Sequence, residues 1–407
     1  MPLKKLPMLV CWLLIPCMAS AQNNAVENGT NKLIESFLNC DAQFFQQLAK
    51  HKTLFKQFFD LETTDNVTYI PVENINKNDK NSVILKKPIL YKGLTITGYQ
   101  NISIKIPFYG QYYYWGFIMN DNLDKTKEAF NNLNWSPYSS TTYIANAQIY
   151  DRRTKTNVWQ DNPYAIDRVI PRQATAEKSL YLEQVNDNQT NIVCSIQGDL
   201  TKEILYLNRP DMKPIHEKIE AKQQEKINDI KLQKQKELTP QLQNQQSQPD
   251  TNNKTHENDQ KIVPINTDEV LKDPRVGKQY IPIKKSNQEK RVSYSFIDRT
   301  SVALHPYNKK IRVFDEIVNF VPEQIYENKK EQNETYRSVK IMHYANCDLK
   351  EIAKSNIQIF EKYFAAGKLI DSNDTPHRWI DTKQQGDKLQ LSIIACSLQL
   401  ADQQKTD

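Results

Sequence analysis

Between Leu33 and Leu61 the apolar residues recur every three or four positions: Ile34, Phe37 and Leu38, then Phe45 and Leu48, then Phe55, Phe58 and Phe59. That spacing predicts helices with one buried stripe. Cys40-Asp41 interrupts the stripe and suggests a turn between two of them. The period then changes to two. Ile102, Ile104, Ile106 and Phe108 alternate with Ser103, Lys105 and Pro107; Tyr109-Gly110 offers a turn, and Tyr112 to Met119 returns as an aromatic run. This reads as a hairpin. Alternation places Tyr112 and Tyr114 on one face and Tyr113 and Trp115 on the other. One face is expected to be core; an exposed one would suggest carbohydrate stacking. A short helix is expected over Leu123–Leu133, a strand over Thr142–Tyr150, and a closing hairpin from Ser179–Val185 and Asn191–Ile196.

The character changes after Arg209. Lys213 to Leu238 is rich in Lys, Gln and Glu, with sparse apolar residues at Ile215, Ile219, Ile227, Ile230 and Leu232. Their spacing fits a coiled-coil heptad only loosely, so a lone charged helix is the preferred reading. Gln241 to Lys261 is almost wholly polar and cannot bury enough apolar area to fold. Strand signals resume at Tyr280–Ile283 and continue through Val292–Phe296, Ile311–Ile317, Tyr336–Tyr344, Ile357–Phe364 and Leu389–Leu398. The expected fold class is α+β: two disulfide-stapled domains rich in antiparallel sheet, joined by a charged helix and a disordered linker. The boundaries are a signal peptide over 1–21, an N-terminal domain over 22–211, the helix over 212–238, the linker over 239–265, a second sheet domain over 266–401 and a tail over 402–407.

Lys4 and Lys5, the apolar run Leu6–Met18 and the small residues Ala19-Ser20-Ala21 form a secretory signal, with cleavage expected between Ala21 and Gln22. The apolar run is shorter than the ~20 residues that span a bilayer. Pro16 stands where a lipid-anchor motif on Cys17 would want a small residue. No further apolar run of spanning length follows. Without Lys4 and Lys5 the formal charge falls from +6 to +4, too balanced to imply a nucleic-acid partner. Only 9 glycines occur and none forms a phosphate-cradling loop, whereas 20 tyrosines and 14 phenylalanines favour half-buried strands.

Export makes the remaining cysteines structural candidates. Cys40, Cys194, Cys347 and Cys396 allow three connectivities. Cys40–Cys194 and Cys347–Cys396 are favoured because the polar linker separates the pairs. In a chain-entropy model these loops destabilise the unfolded chain by about 5 and about 4 kcal/mol. No CxxC occurs, and His343, four residues before Cys347, is the nearest histidine to any of them in a ligand-like spacing. Asn39-Cys40-Asp41 is echoed by Asn346-Cys347-Asp348, and Val193-Cys194-Ser195 by Ala395-Cys396-Ser397, which raises a divergent duplication. GxSxG, HExxH and a catalytic Cys/His pattern are all missing, and Asp151, Asp161 and Asp167 are neighbours only in sequence. No enzyme activity, metal or cofactor is expected.

Tyr294-Ser295-Phe296-Ile297-Asp298 opens a strand, and Thr300-Ser301-Val302 and Lys310-Ile311-Arg312-Val313 follow. Tyr336-Arg337-Ser338-Val339-Lys340 then leads to Tyr344 and Cys347; Gly367-Lys368-Leu369-Ile370, Trp379 and Cys396 complete the order. From Lys284 to Leu400 this resembles the surface-adhesin protein E family of Gram-negative bacteria. Ala365-Ala366 and the long charged loop Glu323–Glu334 depart from its pattern. The resemblance implies a small antiparallel sheet with a flanking helix, exposed outside the inner membrane, and attachment to host extracellular-matrix proteins. The expected function is therefore an exported binding module with a protein partner, in the host matrix or the envelope. The alternative is a periplasmic structural or assembly protein that uses the charged helix as its contact element, with a periplasmic enzyme as the third reading. Asn24–Asn208 resembles no family.

Overall fold

The computed structural model describes residues 15–107, 109–154, 156–237, 269–288, 291–327, 333–383 and 385–403. The expected linker over 239–265 and the start of the expected signal, 1–14, lie outside the described residues. Among the described residues, no helix is long and apolar enough to cross a membrane.

The N-terminal unit begins with α1 (Ile15–Phe37), α2 (Gln43–Lys50) and α3 (Lys52–Phe55). The Ala21–Gln22 junction lies within α1, and among the described side chains of α1 the buried apolar ones, Leu33, Ile34 and Phe37, lie beyond it. A small ribbon follows, β1 (Glu62–Thr64) with β2 (Val67–Tyr69). The main sheet takes β3 (Ser82–Tyr91), β4 (Leu94–Ile106), β5 (Gly110–Met119), then α4 (Leu123–Ala129), β6 (Ser136–Pro137), β7 (Thr142–Asp151) and β8 (Gln160–Asp161). After β9 (Val169–Ile170), which lies apart, β10 (Thr175–Asn186) and β11 (Gln189–Gly198) fill the centre. The order is β3-β4-β5-β11-β10-β7-β6, with β8 on β7, antiparallel throughout. The expected hairpins are present. β3 carried no recognised signal, and α4 stops at Ala129, short of Leu133.

The helical stripe packs on one face of this sheet. Phe37 meets Phe117 edge-on at 5.0 Å between ring centres and Phe44 at 5.5 Å, geometries that suit the ring quadrupoles. Cys40, in left-handed backbone at φ 52°, turns the chain between α1 and α2 and bonds to Cys194 in β11. β5 and β11 approach so closely at Gly116 that a Cβ there would collide with the Ile192 carbonyl oxygen.

Behind β11 come α5 (Lys202–Asn208) and α6 (Met212–Glu237). The turn between them buries a charge pair. Arg209 and Asp211 are both fully buried; Arg209 donates to Asp211 at 2.8 and 2.6 Å and to Asn101 Oδ1 at 3.0 Å. Its guanidinium lies 4.2 Å from the centre of the Trp115 ring and 5.6 Å from that of Phe45. That anchor seats the first turns of α6, where Ile215 and Ile219 pack on the core, while Ile227 is 46% exposed. The lone-helix reading holds; a coiled coil has no counterpart among the described residues.

The second unit is a meander: β12 (Tyr280–Gln288), β13 (Arg291–Leu304), β14 (Ile311–Glu327), β15 (Asn333–Asn346), β16 (Glu351–Phe360) and β17 (Leu369–Asn373), paired in that order. β18 (His377–Arg378) leaves the sheet, and β19 (Ile380–Asp381) returns to β16. Phe364, expected to end a strand, sits instead in left-handed backbone (φ 56°) and folds back to stack on Tyr280 at 4.5 Å.

Leu389–Leu398 is not a strand. It lies in α7 (Gly386–Ser397) and at its C-cap. Leu389, Leu391 and Ile393 alternate, but Leu391 and Ala395, four apart, are the buried pair, and Ile393 is 51% exposed. Leu391 and Ala395 pack on Ile297, Phe314, Ala345 and Ile352, which makes α7 the flanking helix that the resemblance implied. Cys396 of α7 bonds to Cys347 just past β15. The echoed cysteine motifs therefore fall on unlike elements. Asn39-Cys40 follows a helix and Asn346-Cys347 a strand; Cys194 lies in a strand and Cys396 in a helix. The duplication reading is not supported.

Arg209→Ala would leave Asp211 buried without its cation. It should cost about 3–5 kcal/mol in urea unfolding, whereas the double change Arg209→Met with Asp211→Leu should cost far less. Equal losses in both would show that the pair itself, and not the stranded charge, supplies the stability.

Candidate functional site

The two units, each stapled by its own disulfide, also share a core and a small sheet. β9 and β18 pair in parallel, Val169 with His377 and Ile170 with Arg378. Ile166 and Val169 of the N-terminal unit join Ile311, Tyr344, Ala353 and Trp379 of the other in one apolar cluster. The Trp379 amide donates to the Ile170 carbonyl at 3.0 Å.

Two arginines cross this junction in opposite directions. Arg378 donates to the carbonyls of Pro171 (3.0 Å) and Tyr109 (2.9 Å) and to Asp199 Oδ1 (3.0 Å). Arg172 reaches from the N-terminal unit to Glu351, while its second nitrogen bonds Asp151 at 2.6 Å. Tyr164 adds a bond to Asp348 at 3.0 Å, and Asn308 donates to the carbonyls of Pro163 and Ala165 at 3.0 and 3.1 Å.

Next to the junction a cleft of about 740 Å³ opens on the sheet face opposite the helices. Its floor is Ile102, Ile104 and Ile106 of β4, Tyr112 and Tyr114 of β5, and Tyr181 of β10. Tyr138, the Asp167–Ile170 loop and Thr375-Pro376 of the second unit form its walls. The isoleucines face this cleft because the β4–β5 register shifts between Ile96 and Gly98. Leu94 and Ile96 point into the core before the shift, and Tyr99 and Asn101 after it. The aromatic run divides as alternation requires. Tyr113 and Trp115 are buried in the core, and Tyr112 and Tyr114 line the cleft.

Polar groups beneath the cleft form a chain. Tyr114 donates to Gln197 Oε1 at 3.4 Å, Gln197 donates to Glu177 Oε2 at 3.4 Å, and Asn162 donates to Glu177 Oε1 at 3.1 Å. Burial pushes Glu177 from the ordinary 4.5 up to about 7, against the pull of its two amide donors. Burial likewise pushes Tyr112 up to about 12, so its hydroxyl remains a donor.

The carboxylates that are neighbours in sequence do not converge on a reaction centre. Asp151 is held by Arg153 and Arg172, Asp161 lies in β8, and Asp167 lies on the cleft wall. His343 pairs with Glu316 at 2.8 Å and stacks on Phe314, while Cys347 is in its disulfide. Among the described residues, no group of three or more His, Cys, Asp or Glu could hold a metal ion. Sequence reasoning missed Arg172, Arg378, Tyr138 and Tyr181. Arg172 follows β9 and Arg378 lies in the two-residue β18, and no sequence pattern marks either one. The one available signal for the cleft was the apolar alternation on both sides of Gly98.

Two measurements probe this arrangement. Glu177 holds its proton more tightly folded than unfolded, so its contribution to stability falls as pH rises from about 4.5 to about 7 and is level above that. Glu351, raised by burial, acts in the same sense. Urea unfolding across this range should show a shallower decline for Glu177→Gln than for the parent; parallel profiles would contradict the assignment. Arg378→Ala should speed hydrogen exchange at the Trp379 amide by about tenfold while the centres of both sheets stay protected. An unchanged rate would show that the apolar cluster alone holds the junction.

Comparison with known proteins bears on the second unit. The model of the family described as surface-adhesin protein E matches residues 280–397. Haemophilus influenzae protein E is 16% identical over 30% of this chain and 86% of its own, with a TM-score of 0.23. Protein E from non-typeable Haemophilus influenzae is 16% identical over 37% and 94%, with a TM-score of 0.25. Comparison with curated proteins gave no match. The C-terminal sheet with its flanking helix, residues 280–397, thus matches the surface-adhesin protein E family, and the N-terminal unit is left unmatched.

Proposed function

We propose that this chain is an exported, non-catalytic binding module that contacts a protein partner at the bacterial cell surface. The observation that carries the reading is the match of residues 280–397 to a surface-adhesin family. Two disulfides, one within each unit, suit an oxidising compartment outside the cytoplasm. Removal of residues 1–21 by cleavage between Ala21 and Gln22 would retain Leu33, Ile34 and Phe37, the buried apolar side chains described in α1. The working division is an N-terminal domain over 22–211, the helix over 212–238, a linker over 239–265 and an adhesin-like domain over 266–401. A host extracellular-matrix protein is the first partner to test, and an envelope protein the second.

Protease added to intact cells should digest the chain, and the purified oxidised protein should bind matrix proteins saturably. Protection until the outer membrane is opened, together with binding only to envelope extract, would replace adhesion by a periplasmic assembly role. No saturable binding to either source would defeat the module reading.

A further inference from the structure

We propose that the cleft at the junction of the two units binds an extended, proline-containing peptide segment of a protein partner. This rests on the reading of the chain as a protein-binding module and locates its contact.

The chain's own backbone indicates the occupant. Thr375-Pro376, in the turn between β17 and β18, forms one wall, so a proline of this chain already packs against the cleft. The cleft is continuous with the established inter-unit contact, since Val169 and Ile170 belong to both. Its floor offers the surfaces that pyrrolidine rings pack against: the tyrosines of β5 and β10, with Ile104 45% and Ile106 39% exposed beside them. The floor crosses β4, β5, β11 and β10, three strand spacings or roughly 14 Å. A polyproline II segment covers that distance in about four or five residues.

A polyproline II backbone makes no internal hydrogen bonds, so its carbonyls need donors. The Tyr112 hydroxyl and the Arg168 guanidinium both line the cleft, and neither makes a hydrogen bond among the described residues. Asp167, Arg168 and Glu183 give the lining mixed sign, which suits a neutral backbone and not a polyanion or polycation. Branched aliphatic side chains in the floor distinguish it from the flat aromatic platform on which a sugar would stack.

The test titrates the full chain, disulfides intact, with decaproline and separately with a chitin hexasaccharide by calorimetry. Decaproline should bind saturably. Tyr112→Ala and Ile104→Glu should each weaken it by about tenfold, with unchanged circular dichroism and melting. Lys226→Ala, outside the cleft, should leave it unaltered. No decaproline binding, or binding indifferent to both cleft variants, overturns the proposal. Binding of the saccharide alone also overturns it, in favour of a carbohydrate site. Protein capture that persists in Ile104→Glu sinks the cleft and spares the module reading. A parent chain that captures neither protein nor peptide sinks both.

Discussion

A guanidinium taken out of water must find acceptors, and Arg378 finds none of its three named ones in its own unit. It crosses to two turn carbonyls and to Asp199 of the N-terminal unit. The junction of the two units is built around this crossing. Arg378 sits on β18, which lies outside the second sheet and pairs in register with β9. Beside it, Trp379 joins the shared cluster and Thr375-Pro376 lies along the tyrosine face.

The buried charges specify geometry more than they add stability. Removing two ions from water costs several kcal/mol each, and pairing only roughly repays it. Arg172 with Glu351, and Arg378 with Asp199, nonetheless penalise every arrangement that separates the partners. Because the arginines cross in opposite directions, each unit depends on the other to satisfy a charge. Net stability must come from elsewhere: the phenylalanine cluster under α1 and α2, the leucine-alanine seam of α7, and the two disulfides.

How much of this was legible in sequence depended on distance along the chain. The helical stripe, the hairpins and the split of Tyr112–Trp115 are local periodicities, and local sterics enforce them. The cysteine pairs are distant but chemically conspicuous, and the polar linker sorted them. α7 deceived because three alternating apolar residues satisfy both periods, and only burial at Leu391 and Ala395 separates them. Arg172 and Glu351 are 179 residues apart, and nothing near either one marks it. The cleft was hidden by a single register shift at Gly98, which reverses the meaning of every alternating residue after it.

The family match therefore bears on the cleft from one side only. The matched segment supplies a wall, Thr375-Pro376, while the floor of isoleucines and tyrosines belongs wholly to the unmatched unit. A protein that kept the adhesin-like sheet alone would lack both the floor and the carbonyls that receive Arg378. It would also leave Glu351 without Arg172 at a buried position. Whatever the second unit binds in isolation, recognition at the cleft is a joint property. It arises where one unit's apolar sheet face is closed by the other's Thr375-Pro376 turn, and the crossing arginines bridge the two units beside it.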